Sequence, residues 1–245
     1  MPEYFEYLVK AKRLGESPTR GLAVSGSVNA NRVLAEPEMP TIADAEAWVE
    51  LADRLWAGRG SQDRVSIGVF PCPHADHDGS FVSSLGLLLR EALPADTLLI
   101  DFDSNQPALC RNLRTPNTPG WQELFHSEPK MRLDCVHESP WRGVFVMPVG
   151  TAKTDYRAPE MERRLRWLYS VVSRDFRAVV TRFPRASANR NLRGCYRIPD
   201  AAVLTARTGS CRTSEVRREA KTLRAAGANL VGVVLTKSPD HSQEL

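Results

Sequence analysis

A dense run of side chains that can bind metal ions follows the first apolar segment of the chain. Its members, two imidazoles and two carboxylates, are His74, Asp76, His77 and Asp78. Both groups bind divalent cations in proteins. The spacing matches no metallohydrolase signature, however, and adjacent residues of one loop cannot easily all face one ion. We therefore favour a solvated loop here and keep a metal site as the alternative.

Alternating strands and helices must position this run and a second pair of carboxylates, Asp101 and Asp103. Short apolar runs predict strands at 65–70, 97–103, 143–150, 178–183, 200–207 and 229–236. Helical periodicity predicts helices at 80–93, 159–176 and 213–227, the last ending at Gly227. The residues predicted to face the core are Val82, Leu85 and Leu89 in the first helix and Met161, Leu165, Leu168 and Val172 in the second. This alternation is typical of an α/β fold with a parallel β-sheet and helices on both faces. Functional residues of such folds lie at the carboxyl ends of the strands, where both carboxylates fall.

The length of 245 residues suits one sizeable domain. Residues 1–42 are predicted to form an N-terminal arm and linker, and residues 43–245 the α/β domain, beginning with a helix at 43–57. No run approaches the roughly 18 apolar residues of a membrane span. The five cysteines are scattered without a C-x-x-C pair, which favours reduced thiols in the cytoplasm.

Charge is distributed unevenly along the chain. Residues 1–156 carry a net charge of −6, whereas residues 157–213 carry 13 basic and 4 acidic side chains. A segment inside the basic region, 182–197, has no acid and five arginines. They are Arg182, Arg185, Arg190, Arg193 and Arg197. We predict a surface for a protein partner or an anionic polymer there; nucleic acid is disfavoured because aromatic residues are sparse.

The loop after the first strand is where a phosphate-binding loop would lie. Such a loop needs glycines that let backbone N–H groups turn inward, a lysine for the phosphates, and a serine or threonine for Mg²⁺. The strand, the loop length and the following helix fit this requirement. The residue types between them do not.

Four segments resemble one protein family, in order and spacing. They are LLIDFDSNQPAL (98–109), PGWQELF (119–125), MPVG (147–150) and the stretch from DAAVLTAR to GVVLT (200–236). Over about 43–237 the chain resembles the cytoplasmic kinase domain of bacterial tyrosine kinases that serve capsule and exopolysaccharide synthesis. These kinases share a P-loop superfamily with partition and cell-division-positioning ATPases. The resemblance implies a P-loop NTPase-like fold, with Asp101 and Asp103 helping to hold Mg²⁺ of Mg·ATP.

Positions that handle ATP in that family differ in this chain. Aligned without a gap, the degenerate phosphate loop places Ala75 and His77 at loop glycines, Asp78 at the lysine, and Gly79 followed by Ser80 at the metal-binding hydroxyls. An aspartate in place of the lysine repels phosphate, by on the order of 4 kcal/mol at about 4 Å and an effective dielectric near 20.

Further family residues are replaced elsewhere in the chain. Thr181 occupies the place of the Walker B aspartate, and Val49 replaces the arginine of an oligomerisation motif. The C-terminus lacks the family's tyrosine cluster. Asp101 and Asp103 are therefore interpreted as structural, with Asp101 accepting hydrogen bonds from the neighbouring loop, in preference to a role in holding Mg²⁺.

These departures favour a non-catalytic homologue, a regulatory or assembly partner in polysaccharide biosynthesis and export, with no cofactor. Its expected partner is a membrane-anchored polysaccharide co-polymerase or another protein of the export machine, which would recruit this cytoplasmic protein to the inner membrane. A homo-oligomer stays open. One alternative is an active, divergent tyrosine kinase or ATPase that uses Mg·ATP, Asp101, Asp103 and a lysine from elsewhere, such as Lys153. A second alternative is a protein that binds nucleic acid or another anionic polymer.

Overall fold

The computed structural model describes residues 64–75, 79–93, 96–126, 134–152 and 157–236. The predicted arm at 1–42 and the predicted helix at 43–57 lie outside the described residues. So do Asp76, His77, Asp78 and Lys153, together with residues 237–245.

A sheet of seven strands forms the centre of the described part, in the order β3-β4-β2-β5-β1-β6-β7. All neighbouring pairs are parallel except β3 with β4, which is antiparallel. The strands are β1 (Val65–Pro71), β2 (Thr97–Asp101), β3 (His137–Glu138), β4 (Val144–Met147), β5 (Ala178–Arg182), β6 (Ala201–Arg207) and β7 (Leu230–Thr236). The predicted parallel sheet is confirmed, and the two-residue strand β3 is an addition at its edge.

Helices cover both faces of this sheet. They are α1 (Ser80–Ala92), α2 (Leu109–Leu113), α3 (Trp121–His126), α4 (Ala158–Val172), a 3₁₀ helix (Arg190–Arg197) and α5 (Thr213–Ala225). The sequence predicts α1, α4 and α5 but neither α2 nor α3, because five or six residues are too few to show a helical period. Among the helices of the described ranges, none is both long and apolar enough to cross a membrane.

The two faces have separate hydrophobic cores. One core packs α1 and α2 against the sheet, and the predicted inward residues Val82, Leu85 and Leu89 are all buried in it. The other core lies beneath α3, α4, the 3₁₀ helix and α5. The predicted stripe of α4 is buried there, and it consists of Met161, Leu165, Leu168 and Val172.

The carboxyl ends of the central strands form one edge of the sheet, which we call the rim. Strands β2, β5, β1 and β6 are consecutive neighbours in the sheet and run parallel. Aromatic rings fill the core beneath this edge: Phe70 stacks on Phe183 with ring centroids 4.7 Å apart, and Phe102 lies 4.5 Å from Trp121. The loops of the rim therefore lie on a packed aromatic core.

Candidate functional site

Two aspartates and one arginine form a buried ionic cluster at the rim. Asp101 ends β2 and Arg182 ends β5, and the parallel register places these two residues side by side. One guanidinium nitrogen of Arg182, Nη1, lies 3.1 Å from Asp101 Oδ1 and 3.4 Å from Asp103 Oδ2. The exposed fractions of Asp101, Asp103 and Arg182 are 1%, 5% and 1%. We call these three residues the ionic cluster.

Backbone N–H groups donate to the second carboxylate oxygen of Asp101. Its Oδ2 accepts hydrogen bonds from the N–H groups of Ala108, at 2.7 Å, and Leu109, at 3.0 Å. These two residues begin the turn into α2, so the carboxylate fixes the start of that helix. Asp101 thus accepts hydrogen bonds from the neighbouring loop, as predicted.

Asp103 is held in a similar way by the loop that follows β2. Its Oδ1 accepts from the N–H groups of Asn105 at 3.2 Å and Gln106 at 3.3 Å, while Arg182 Nη1 donates to the Gln106 carbonyl at 2.9 Å. Burial raises the pKa of the Asp103 carboxyl above its usual range, although the positive charge of Arg182 opposes this shift. The positive charge of Arg182 thus compensates part of the cost of burying the Asp103 carboxylate.

At the position where the resemblance implies Mg²⁺, the guanidinium group of Arg182 therefore supplies the positive charge. Mg²⁺ requires near-octahedral oxygen ligands at about 2.0–2.1 Å. The oxygens of Asp101 and Asp103 are instead directed at Arg182 and at backbone N–H groups. Within the described residues, no group of three or more His, Cys, Asp or Glu side chains could hold a metal ion.

The loop between β1 and α1 retains part of the backbone geometry of a phosphate loop. His74 and Gly79 have left-handed φ values of 63° and 75°, and they are separated like the two glycines of G-x-x-x-x-G-K-[ST]. A Cβ at Gly79 would lie 2.8 Å from Leu109 Cδ2, so a glycine is also required for packing. In this register Ser80 and Phe81 occupy the positions of the lysine and the hydroxyl residue.

This register differs by one residue from the gapless alignment, which assigned Asp78 and Gly79 to those two positions. Neither register supplies a lysine, and Phe81 is buried in the core with an exposed fraction of 5%. Of the predicted loop residues, Ala75 is buried, Gly79 caps α1 and Ser80 is its exposed first residue. His77 and Asp78 lie outside the described residues, so the metal alternative stays a prediction.

Thr181, which aligns with the family's Walker B aspartate, is part of the core. Thr181 is fully buried on β5, and its Oγ1 lies 2.5 Å from the hydroxyl of Tyr169 on α4. Burial raises the pKa of this tyrosine well above its usual range. Thr181 therefore joins β5 to α4 through a buried hydrogen bond.

Two of the matched segments, 119–125 and 147–150, contact each other at the rim. The N–H groups of Trp121 and Gln122 donate to the carbonyls of Pro148 and Val149, both at 3.0 Å. The indole N–H of Trp121 also donates to the backbone oxygen of Asp101 at 2.8 Å. The structure therefore gathers three of the four matched segments around the ionic cluster.

Glu123 fastens the same contact, a role that the sequence did not predict. Its carboxylate accepts from the N–H groups of Gly120 at 2.8 Å, Thr151 at 2.7 Å and Ala152 at 2.8 Å. Burial acts to raise the pKa of Glu123, but these hydrogen bonds outweigh it and lower the pKa to about 2. A glutamate next to a proline–glycine turn was the one signal in the sequence.

The predicted arginine surface requires a correction. Arg182 does not belong to it, because its side chain is buried in the ionic cluster. The other four, Arg185, Arg190, Arg193 and Arg197, are exposed, and we keep the name arginine surface for them. Arg197 pairs with Glu162 of α4 at 2.8 Å, and Arg185 lies 3.8 Å from Glu219.

An open cavity of about 620 Å³ lies beside the loop that carries Asp103. Its lining mixes polar and apolar surface and comprises Asn105, Gln106, Pro107, Cys110, Arg111 and Asn117. These residues belong to the segment after β2, to α2 and to the loop that follows it. The cavity therefore borders the matched segment 98–109.

Solved structures of tyrosine kinase domains and of a cell division protein are similar to this one. The kinase domain of Escherichia coli tyrosine kinase ETK shares 20% identity at a TM-score of 0.68, over 98% of this chain and 89% of that chain. The BceF tyrosine kinase domain shares 24% identity at 0.57, over 71% and 69%. The cell division protein MinD of Aquifex aeolicus shares 13% at 0.52, over 71% and 70%.

The sequence matches no protein-family model and has no significant match among curated proteins. Identities at this level establish the fold and leave the activity to be argued from the site. The predicted fold class is confirmed: the chain has the P-loop NTPase-like fold of the bacterial tyrosine kinase domains.

Proposed function

We propose that this chain is a non-catalytic counterpart of the capsule and exopolysaccharide tyrosine kinase domains, and that it regulates or assembles a polysaccharide export machine. The observation that carries the proposal is the buried guanidinium of Arg182 between Asp101 and Asp103. In an ATPase of this fold, carboxylates at this place must remain available to the metal ion. Here both are bound by an internal cation.

The energetics support a permanent internal pair in place of an exchangeable metal. Removing one partner from a buried ion pair costs about 3–5 kcal/mol, because the other charge remains buried without compensation. A Mg²⁺ ion entering the cluster would have to expel Arg182 and shed part of its own hydration shell. The absence of a lysine in the described part of the phosphate loop removes the phosphate contact that could offset this cost.

Calorimetric titration of the full chain with Mg·ATP tests the loss of nucleotide binding. We expect no binding with a dissociation constant below about 100 μM, whereas the E. coli ETK kinase domain serves as the positive control. A tighter constant for this chain would overturn the proposal. Phosphate release that Asp103→Ala abolishes would instead favour the active kinase or ATPase, in which Lys153, outside the described residues, supplies the missing charge.

The partner we propose is a membrane-anchored polysaccharide co-polymerase that docks on the arginine surface. Arg190 and Arg193 are exposed on the 3₁₀ helix, and no ion pair is recorded for either among the described residues. Leu192 and Tyr196 anchor the same helix in the core, with exposed fractions of 5% and 0%. The core therefore anchors the helix that carries Arg190 and Arg193. Its exposed positive charge suits an acidic protein segment.

Complementation in the bacterium that encodes the chain tests this role. We expect deletion of the gene to alter the chain length or amount of exported polysaccharide, and Asp103→Asn to restore the normal pattern because no nucleotide chemistry is needed. The double variant Arg190→Glu/Arg193→Glu is expected to fail. Its matched control is Arg111→Glu/Arg114→Glu, which makes the same charge change on two exposed residues at α2.

Two results would contradict the docking model. Unchanged polysaccharide in the deletion strain would remove the link to export. Full complementation by Arg190→Glu/Arg193→Glu, at normal protein levels, would show that the partner does not use the arginine surface.

A further inference from the structure

Two thiols meet between the rim ends of β1 and β6. Cys72 is the first residue after β1, and its N–H donates to the Thr205 carbonyl of β6 at 2.8 Å. Cys211 lies in the turn between β6 and α5. Its Sγ donates to the carbonyl of Pro73, the residue next to Cys72, at 2.7 Å, and Cys211 packs against the hydrophobic core that contains Cys72.

The two cysteines differ in access to solvent. Cys72 is buried, with an exposed fraction of 1%, whereas Cys211 is only partly buried. The turn that carries Cys211 is itself exposed at Thr208, Gly209 and Ser210, and nothing lies within 4 Å of the Cβ position of Gly209. This turn has room to adjust, while Cys72 is fixed by the strand that precedes it.

We propose that Cys72 and Cys211 form a reversible disulfide that ties the loop after β1 to the turn after β6. Disulfide formation requires the sulfur atoms to approach to about 2.0 Å with a Cβ–S–S–Cβ dihedral near 90°. Because Cys211 Sγ already lies 2.7 Å from the carbonyl oxygen of the residue next to Cys72, we expect side-chain rotation and a small shift of the turn to bring the two sulfur atoms to this geometry. The proposal is independent of whether the chain binds a nucleotide.

The oxidant we propose is a low-molecular-weight disulfide, and the reaction proceeds by two exchanges. The Cys211 thiolate attacks one sulfur of the oxidant and releases the first small thiol. The Cys72 sulfur then attacks Cys211, loses its proton and displaces the second small thiol. The two electrons and two protons given up by the protein thiols end in the two released thiols.

The order of attack follows from the surroundings of each sulfur. Burial raises the pKa of Cys72 to about 12, with further contributions from Cys211, Glu219 and Glu215. The thiolate of Cys72 is therefore rare at neutral pH, and the more accessible Cys211 reacts first. Cys72 acts as the resolving thiol, because Cys211 Sγ lies against the backbone of the residue next to it.

Thiol counting on the full chain tests the proposal. The protein is equilibrated with oxidised and reduced glutathione, quenched with acid, denatured, labelled with a maleimide and weighed by mass spectrometry. We expect five labels under reducing conditions, since the chain has five cysteines, and three labels under oxidising conditions. Peptide mapping is expected to show residues 72 and 211 cross-linked, and the oxidised protein to melt roughly 5–10 °C higher than the reduced one.

Single variants supply the controls. Cys72→Ser and Cys211→Ser are each expected to abolish the cross-link, whereas Cys110→Ser, at a buried cysteine of α2, leaves it intact. Cys211→Ser alone keeps the test valid if the buried Cys72→Ser variant fails to fold. Retention of five labels, a stable glutathione adduct at Cys211 without the cross-link, or a different cysteine pairing would overturn the proposal.

Discussion

Arg182 and Arg197 belong to one arginine-rich segment, yet their ion pairs lie in opposite environments. The exposed fraction of the Arg182 side chain is 1%, and its carboxylate partner Asp101 is equally buried. The Arg197 side chain is 53% exposed, and it pairs with Glu162 on the surface of α4. The exposed pair is the shorter, 2.8 Å against 3.1 Å.

Burial, and not distance, decides what each pair contributes. Water screens the Arg197 pair and competes for its hydrogen bonds, so a pair of this kind contributes about 0–1 kcal/mol. The Arg182 pair is shielded from water, and removing either partner would leave the other charge buried without compensation. The comparison predicts that the ionic cluster is required for stability and that the charges of the arginine surface can be replaced at little cost in stability.

The largest expected effect is that of Arg182→Leu. Because the change leaves Asp101 and Asp103 buried without a cation, we expect the free energy of unfolding to fall by about 3–5 kcal/mol in urea denaturation. Adding Asp103→Asn should recover more than about 1 kcal/mol by removing one uncompensated charge. A loss below about 1 kcal/mol for Arg182→Leu would contradict the distinction between the two pairs.

Glu219 is another buried acid, and it extends the comparison to a carboxylate whose hydrogen bonds come from a neutral residue. Glu219 of α5 has an exposed fraction of 1% and accepts from Ser187 N at 2.8 Å and Ser187 Oγ at 2.5 Å. Glu219→Gln should lower the free energy of unfolding by about 1–3 kcal/mol, because charge-assisted bonds are weakened. Glu215→Gln, on the same helix but partly exposed, is the control and should cost less.

The partly buried carboxylate of Glu123 can be tested through the pH dependence of the folding stability. Its folded pKa, about 2, lies below the ordinary 4.5, so its stabilisation is complete above pH 4.5 and is lost as the pH falls towards 2. Glu123→Gln should flatten the fall in thermal stability over this range, by about 1 kcal/mol given its partial exposure. An unchanged pH profile in the variant would contradict the assignment.

The smallest expected effect is that of Arg197→Gln. Removing this exposed pair should change the free energy of unfolding by less than about 1 kcal/mol at low salt. The difference from the unmodified chain should shrink further at about 1 M salt, where the Debye length is about 3 Å. A loss as large as that of Arg182→Leu would show that exposure does not separate the two pairs.

Local patterns predicted the elements that bury a continuous face. The stripe of α4, the apolar runs of the strands, and Gly227, with its φ of 79° after α5, all follow from residues close together in sequence. The short helices α2 and α3 do not, because the hydrogen bonds of Asp101 and contacts between loops stabilise them. Such elements have no periodic pattern of their own.

The prediction that Arg182 lies on the surface was wrong for the same reason, because the contact that decides its position is not local in sequence. In a basic segment an arginine is predicted to face solvent, since burying a charge is costly unless a partner is present. Its partner Asp101 is 81 residues away, on a strand whose neighbour the sequence does not identify. Only the order β2-β5-β1 and the register of Asp101 against Arg182 bring the two charges together.

The sequence by itself determined the six longer strands, the long helices, the α/β class and the missing phosphate-loop lysine, because these depend on residue type and local spacing. The tertiary structure alone decided that Arg182 neutralises Asp101 and Asp103, that Glu123 fastens the loop after β4, and that Cys211 lies beside the residue next to Cys72. The physical reason is that strand order and register are fixed by non-local packing. The chemistry of each rim residue depends on the neighbour that this packing supplies.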